Sequence, residues 1–433
     1  MRQPYSEYKN TEIDWLETIP KNWKLVKLKH VSSLNMGQSP SSDDVNQEGE
    51  GIPFIQGNAE FGALHPTPKN FCTEPSKICK PDDILISVRA PVGALNISDQ
   101  KYVIGRGLSA ITPESVRSGF CWYALQNSKY QLSVMETGTT FKAISGSDLA
   151  NVFLPLPSQE EQRVIEGYLN FETSRIDRLI TEKAGFIDLL KEKRQALISH
   201  VVTKGLNPDV AMKDSGVEWI GEIPKHWRLK KLRYLGRCQN GINIGGEFFG
   251  EGYPFISYGD VYKNRQLPEK AGGLVRSSDS DRLTYTVKEG DVLFTRTSET
   301  IAEIGFSSVC MSDMTDAVFA GFLIRFRPNI EAINKTFSKY YFQNELLRAF
   351  FVKEMNIVTR ASLSQELLKR MPVVLPPEEE QVLICQYMDK KNEALKALIE
   401  ESKRSIDLLK ERRTALISAA VTGKIDLRDK EVA

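Results

Sequence analysis

Two carboxylates and a lysine stand in an order that can do chemistry: Pro81-Asp82, then Asp99-Gln100-Lys101. This fits the loose PD…(D/E)-x-K nuclease pattern, in which the carboxylates hold Mg²⁺ and the lysine steadies the attacked phosphate. The pattern is short and recurs by chance. In the second half of the chain the residue matching Asp82 is Gly290, and no D-x-K follows at similar spacing. What both halves share is the next residue, Asp83 or Asp291, at the start of an apolar run. A turn entering a strand explains these carboxylates without a metal. No phosphate loop and no G-x-G-x-x-G is present, and neither is H-E-x-x-H or G-x-S-x-G. The Asn/Asp-Pro-Pro-Tyr/Phe signature of amino-methyltransferases is also missing. The cysteines at 72, 79, 121, 238, 310 and 385 form no C-x-x-C pair, and with four scattered histidines they offer no zinc spacing. No catalytic residue and no metal ligand is assigned, and the chain is expected to carry no cofactor of its own.

Whatever these residues do is positioned by the elements around them. Ile187–Thr203, IDLLKEKRQALISHVVT, returns at Ile406–Thr422 as IDLLKERRTALISAAVT, with 13 of 17 positions identical at an offset of 219. The chain is an internal duplication. Ile165, Leu169, Glu172, Ile176, Leu179, Lys183, Phe186, Leu190, Lys193 and Leu197 step by fours and threes. Their copies are Ile384, Met388, Lys391, Leu395, Leu398, Ser402, Ser405, Leu409, Arg412 and Leu416. A seam of about five heptads predicts a coiled coil, with each helix paired to its copy. Ser158 and Glu161 form a capping box, and Pro157 and Pro376-Pro377 block extension backwards. Each helix should run about 45 residues, roughly 65–70 Å at 1.5 Å per residue. The other reading is two amphipathic helices buried in separate domain cores; the length and the matched seams favour pairing.

A domain precedes each helix. Trp15, Ile19-Pro20-Lys21 and Trp23 recur as Trp219, Ile223-Pro224-Lys225 and Trp227, at an offset of 204, and the tryptophans read as packing anchors. Each half then shows a Gly/Asn-rich loop and a short strand, Ile52–Ile55 or Tyr253–Ile256. Next come a buried strand from Asp83 or Asp291, a strand at 108–111 or 322–326, and a helix around Tyr123 or Tyr340. The predicted order is domain 1–155, helix 156–205, domain 206–375, helix 376–425 and a tail, 426–433. The class is α+β with two mixed α/β domains. The helices match closely, whereas the domains match only at scaffold positions and diverge in their loops. Net charge is +1. The first domain carries 15 basic and 16 acidic groups, the second 23 and 20, so any DNA-binding charge is either local or supplied in large part by a partner. No run of 18 apolar residues exists, and the first 15 residues hold no apolar core of a secretion signal. A cytoplasmic protein without a membrane span, its thiols free, is expected.

Together these features resemble the specificity (S) subunits of type I restriction-modification enzymes. The resemblance rests on the Ile-Pro-x-x-Trp openings (Ile19 to Trp23, Ile223 to Trp227) and on the Leu-Pro-x-x-x-E-Q elements (Leu156 to Gln162, Leu375 to Gln381). It rests also on the paired IDLLKE(K/R)R-x-ALIS helices, and it covers nearly the whole chain. It implies that each domain is a target recognition domain reading half of an asymmetric bipartite site in double-stranded DNA. It implies that the two domains are related by a pseudo-twofold and joined by two long antiparallel helices that fix the spacer between half-sites. It further implies a non-catalytic chain recruiting two methyltransferase subunits and two restriction subunits, with S-adenosylmethionine, ATP and Mg²⁺ held by those partners and N6-methyladenine as product.

Base readout favours Arg, Lys, Asn and Gln, with Lys and Arg on phosphates. The candidate DNA contacts in the first domain are Gln38, Ser39, Gln56, Asn58, Arg89, Thr140 and Lys142. In the second they are Asn240, Asn243, Tyr258, Arg296, Thr297 and Arg360. The candidate helix-pairing residues are Ile165, Leu169, Ile176, Leu179, Leu190 and Leu197, with Ile384, Met388, Leu395, Leu398, Leu409 and Leu416. A coiled-coil scaffold binding only proteins, and a Mg²⁺ nuclease dependent on Asp99, are the competing readings.

Overall fold

The computed structural model describes residues 4–136, 142–298, 304–330, 332–354 and 361–428. Two compact units form, and they cut across the linear order: Met1–Lys183 with Lys403–Ala433, and Ala184–Ser402. Each unit holds one mixed α/β domain, the start of the long helix that follows it, and the end of the other long helix.

In the first unit, strand Leu108–Pro113 pairs antiparallel with Ser32–Met36 on one side and with Ile84–Ser87 on the other. Leu95–Ile97 completes this sheet. A second sheet sets Val103–Ile104 parallel to Ile52–Ile55, with Asn70–Cys72 beyond. The core gathers Trp23, Leu28, Ile84, Ile86, Ile111, Phe120 and Leu154 with Ile165 and Leu169 of one long helix and Ile417, Ala420 and Val421 of the other. The N-terminal segment joins this core too. Tyr8–Ile13 forms a hairpin with Leu16–Pro20. Tyr5 stacks edge-on against Trp23, with centroids 5.7 Å apart.

The second unit repeats the plan. Leu323–Pro328 pairs with Gly236–Asn240 and with Val292–Thr295, whose other neighbour is Ser307–Val309. Val318–Phe319 runs parallel to Phe249–Ile256. Trp227, Phe294, Phe326, Phe337 and Tyr341 pack with Ile198, Val201 and Val202 of one long helix and Ile384 and Met388 of the other. The short hairpin Met212–Asp214 with Glu222–Pro224 takes the place of the N-terminal one.

The long helices span Gln159–Lys204 and Glu378–Val421, 46 and 44 residues. Ser158 caps the first: its hydroxyl donates to Glu161 Oε2 at 2.9 Å and accepts from the Glu161 amide at 3.3 Å. The start of each helix meets the end of the other, which is antiparallel pairing. In the first unit Arg413 Nε donates to Asp177 Oδ1 at 2.9 Å; in the second its copy Arg194 donates to Asn392 Oδ1 at 2.9 Å.

The buried stripe does not keep the heptad. Ile165, Ile176, Ile187 and Ile198 are all buried and stand eleven residues apart; Ile384, Leu395 and Ile417 follow the same rule. Phe186, a heptad position, is 46% exposed beside Ile187 at 7%. Leu398, expected on the pairing face, is 43% exposed and faces water. Eleven residues in three turns is 3.67 per turn, near the 3.6 of a straight helix, so a strict seven-residue count drifts off the buried face within a few turns. Leu179, Leu197, Leu409 and Leu416 are half-buried, and Leu190 is buried. The end positions also belong to domain cores: Ile165 and Leu169 in one, Ile384 and Met388 in the other. Among the described residues no helix is long and apolar enough to cross a membrane.

Candidate nucleic-acid interface

Each unit pins its domain to its helix through the same four groups. Trp23 Nε1 donates to Glu161 Oε1 at 3.3 Å, and Trp227 Nε1 donates to Glu380 Oε2 at 2.9 Å. The next residue, a buried glutamine, holds the domain's helix. Gln162 Oε1 accepts from the Arg117 amide at 2.9 Å and its Nε2 donates to Pro157 O at 3.0 Å. Gln381 does the same with Asn334 at 3.0 Å and Pro376 at 3.0 Å. The Leu-Pro-x-x-x-E-Q element thus fixes the domain onto the long helix through its Glu and Gln in both units, and in the first unit its Ser158 also caps that helix. The tryptophans are anchors with a polar bond as well as bulk.

On this shared frame, the ends of the central strands carry polar loops. In the first unit Gly37 lies under the loop Gly105-Arg106-Gly107: a Cβ on Gly37 would sit 2.2 Å from Gly105 O. Gln56 supports the same loop. A Cβ on Gly105 would stand 2.9 Å from Gln56 Cα, and one on Gly107 2.7 Å from Gln56 O. Gln56 Nε2 donates to Ser39 Oγ at 3.0 Å, and Ser39 Oγ accepts from the Arg106 amide at 3.5 Å. Ser39 and Gln56 also line an open groove of about 630 Å³ with Asn46, Gln47 and Asn70.

The second unit builds its equivalent from other residues. Gly241 sits under Ala320, where a Cβ would meet Ala320 O at 2.1 Å. Asn243 closes on Gly321, whose added Cβ would lie 1.9 Å from Asn243 Oδ1. Arg296 Nη1 donates to Gly321 O at 3.4 Å, and its backbone amide to Phe322 O at 2.9 Å.

The remaining candidates are spread more widely. Gln38 and Arg89 are exposed. Asn58 opens a 3₁₀ turn, Asn58–Glu60. Lys142 is ion-paired with Glu136 at 2.9 Å. Asn240 ends its strand beside Gln365. Tyr258 stacks on Tyr262 with centroids 5.9 Å apart. Thr297 pairs with Ser362. Thr140 and Arg360 lie outside the described residues. The two strand-end arginines are not equivalent. The Val88 amide donates to Gly107 O as the Arg296 amide donates to Phe322 O, so Val88 matches Arg296, and Arg89, bridged to Ala143, matches Thr297.

The tempting carboxylates are structural. Asp82, at φ 68°, and Gly290, at φ 84°, hold the same left-handed turn position. Asp83 accepts from the Lys80 amide at 2.7 Å and from Thr112 Oγ1 at 2.6 Å. Asp291 accepts from Arg327 through two bonds of 2.6 Å. Asp99 accepts from Tyr102 Oη at 2.5 Å. Among the described residues no group of three or more His, Cys, Asp or Glu could hold a metal ion.

The model of the type I restriction modification DNA specificity domain matches twice, at residues 20–181 and 246–407. The chain belongs to the type I restriction-modification specificity family. It carries that domain in tandem, and the two matches cover most of its length. The MjaIX specificity subunit of Methanocaldococcus jannaschii is 24% identical over 98% of both chains. The EcoKI specificity subunit of Escherichia coli is 22% identical over 86% of this chain and 82% of its own. A provisionally named MjaX specificity subunit of the same archaeon is 38% identical over 201 residues, 46% of each chain. Among solved structures, a chain from a type I R-M system superposes with a TM-score of 0.71 at 17% identity, covering 94% of this chain and 99% of its own. The HsdS subunit of Thermoanaerobacter tengcongensis superposes at 0.52, also with 17% identity, over 94% and 98%. These specificity domains therefore share the family's fold.

Two residues at the loop tips, Arg106 and Phe322, were not singled out by sequence reasoning. Arg106 is exposed and Phe322 is 62% exposed. The available signal was the Gly-Arg-Gly run between two strands, where glycine marks close backbone approach.

Proposed function

We propose that this chain is the non-catalytic DNA-reading subunit of a type I restriction-modification complex, each specificity domain reading one half of an asymmetric bipartite site in double-stranded DNA. One observation carries this reading. The groups that pin domain to helix are the same in both units, whereas the polar loops at the strand ends differ residue by residue. An identical frame with diverged loops suits two readers of different sequences. The long helices, bound to the domains by Glu161, Gln162, Glu380 and Gln381, are suited to set the spacer between half-sites. Their exposed, mixed-charge faces are suited to dock partners. Those partners are two methyltransferase subunits, which bring S-adenosylmethionine, and two restriction subunits, which bring ATP and Mg²⁺; this chain contributes recognition. A complex is also where a chain of net charge +1 gains enough phosphate contacts to hold DNA. A cytoplasmic location follows from this role.

The test is co-expression with the cognate methyltransferase in a methylation-free host, followed by sequencing of genomic DNA for N6-methyladenine. A single gapped, asymmetric motif is expected. A complex that assembles but binds all DNA sequences equally would overturn the proposal in favour of a protein-only scaffold.

A further inference from the structure

We propose that the loops Gly105-Arg106-Gly107 and 320–322 are the reading tips of the two domains, with Arg106 and Phe322 as the specificity-determining residues. This inference rests on the functional reading above and names the residues within it. In both units the loop leaves a strand that runs parallel to its neighbour. Gly105 donates its amide to Ile55 O at 2.9 Å, and Ala320 donates to Ile256 O at 3.0 Å. Both loops cross a glycine with no room for a side chain, Gly37 or Gly241. The polar residues around them act beneath the tip. Ser39 accepts from the Arg106 amide and Gln56 lies against both flanking glycines; Asn243 and Arg296 close on Gly321. These contacts hold the loop backbone in place, which is what a side chain reading one base needs from its support.

What projects from each supported loop differs. Arg106 is exposed, and its guanidinium has no ion pair or hydrogen bond among the described residues. Phe322 is 62% exposed, with its own carbonyl tied to Arg296. In the major groove an arginine reads guanine through O6 and N7, and an apolar side chain reads the thymine methyl. The first half-site therefore contains a G·C pair read by Arg106, and the second an A·T pair read by Phe322. Ser39, Gln56, Asn243 and Arg296 become positioning residues.

The experiment compares methylation motifs of the complex carrying wild-type chain, Arg106→Ala, Arg106→Gln or Phe322→Ala. Arg106→Ala is expected to lose roughly ten- to hundred-fold discrimination at one position of one half-site, with the other half-site and the gap unchanged. Arg106→Gln is expected to move the preference at that position from guanine towards adenine. Phe322→Ala is expected to relax one position of the other half-site. Motifs unchanged in all three variants would overturn the proposal. So would methylation reduced equally on every sequence for both Arg106 variants, the signature of a phosphate anchor. A wild-type complex without a bipartite motif would overturn the functional reading, and this inference with it.

Discussion

Trp227 donates its indole N–H to Glu380 at 2.9 Å, and both residues sit at the joint where a specificity domain meets its long helix. The indole is fully buried, and Glu380 also meets His226 Nε2 at 2.5 Å. Trp23 and Glu161 repeat the relationship in the other unit. In each unit one carboxylate in the first turn of the long helix thus holds the tryptophan at the domain's entry.

Removing that carboxylate should loosen the joint. Glu380→Ala leaves the buried indole N–H without a partner, a cost of about 1–3 kcal/mol. Urea unfolding followed by tryptophan fluorescence should show the loss. Glu380→Gln, which keeps an acceptor oxygen, should lose less than half as much, and equal losses would contradict the account of the joint.

The eleven-residue stripe separates neighbours that a heptad treats the other way round. Ile187→Ala empties a buried position and should cost about 2–4 kcal/mol. Phe186→Ala, at an exposed one, should stay within about 0.5 kcal/mol. In the other helix a heptad places both Leu395 and Leu398 on the seam, but only Leu395 is buried, so Leu395→Ala should cost more than Leu398→Ala. Thermal denaturation of the four variants reads the period directly; a larger loss at Phe186 than at Ile187 would restore the heptad.

The strand-entry carboxylates should respond as structural groups. Asp291 is fully buried and bonded twice to Arg327, whose side chain keeps 31% of its surface exposed. Asp291→Asn should cost about 3 kcal/mol, the low end for a broken buried pair because water still reaches the arginine. Asp82→Gly should change stability by less than about 1 kcal/mol, since Asp82 already occupies a glycine-favouring turn. Methylation by the complex should be unaffected by Asp82→Gly, and a loss of activity without a loss of fold would point back to metal chemistry there.

The thiols should be inert while the protein is folded. Burial pushes Cys121 and Cys385 up to about 12 and Cys79 up to about 11, and reactivity needs the thiolate. Iodoacetamide at pH 8 should leave these three unlabelled in the native protein and label them in urea, as read by mass spectrometry. Rapid native labelling of Cys121 would show that its pocket opens.

Much of this architecture is written in local sequence. The capping box at Ser158 and Glu161 and the prolines before each helix fix the helix starts, and the repeat at an offset of 219 reveals the pairing. The period was harder to see because steps of three and four fit seven and eleven equally from Ile165 to Ile176. They part only at Phe186 and Ile187, both apolar, where burial alone decides. The division into units was hidden for a different reason. The C-terminal helix returns to the first domain, so Tyr8 bonds Gly423 O at 2.9 Å across 415 residues, and no local pattern encodes that. The loop tips escaped notice because Arg106 and Phe322 lie outside any polar cluster; what marks them is the crowded backbone beneath, visible only once Gly37, Gln56 and Gly241 are placed.

The most direct measurement replaces the second specificity domain with a copy of the first. Residues 227–375 are exchanged for residues 23–156, keeping Glu380 and Gln381 to receive the transplanted Trp23 and helix. The complex is then read by N6-methyladenine sequencing beside the wild type. If each domain reads one half-site, the asymmetric motif becomes an inverted repeat of the first half-site with the gap preserved. A complex that still methylates the original asymmetric motif would contradict the assignment of one half-site to each domain.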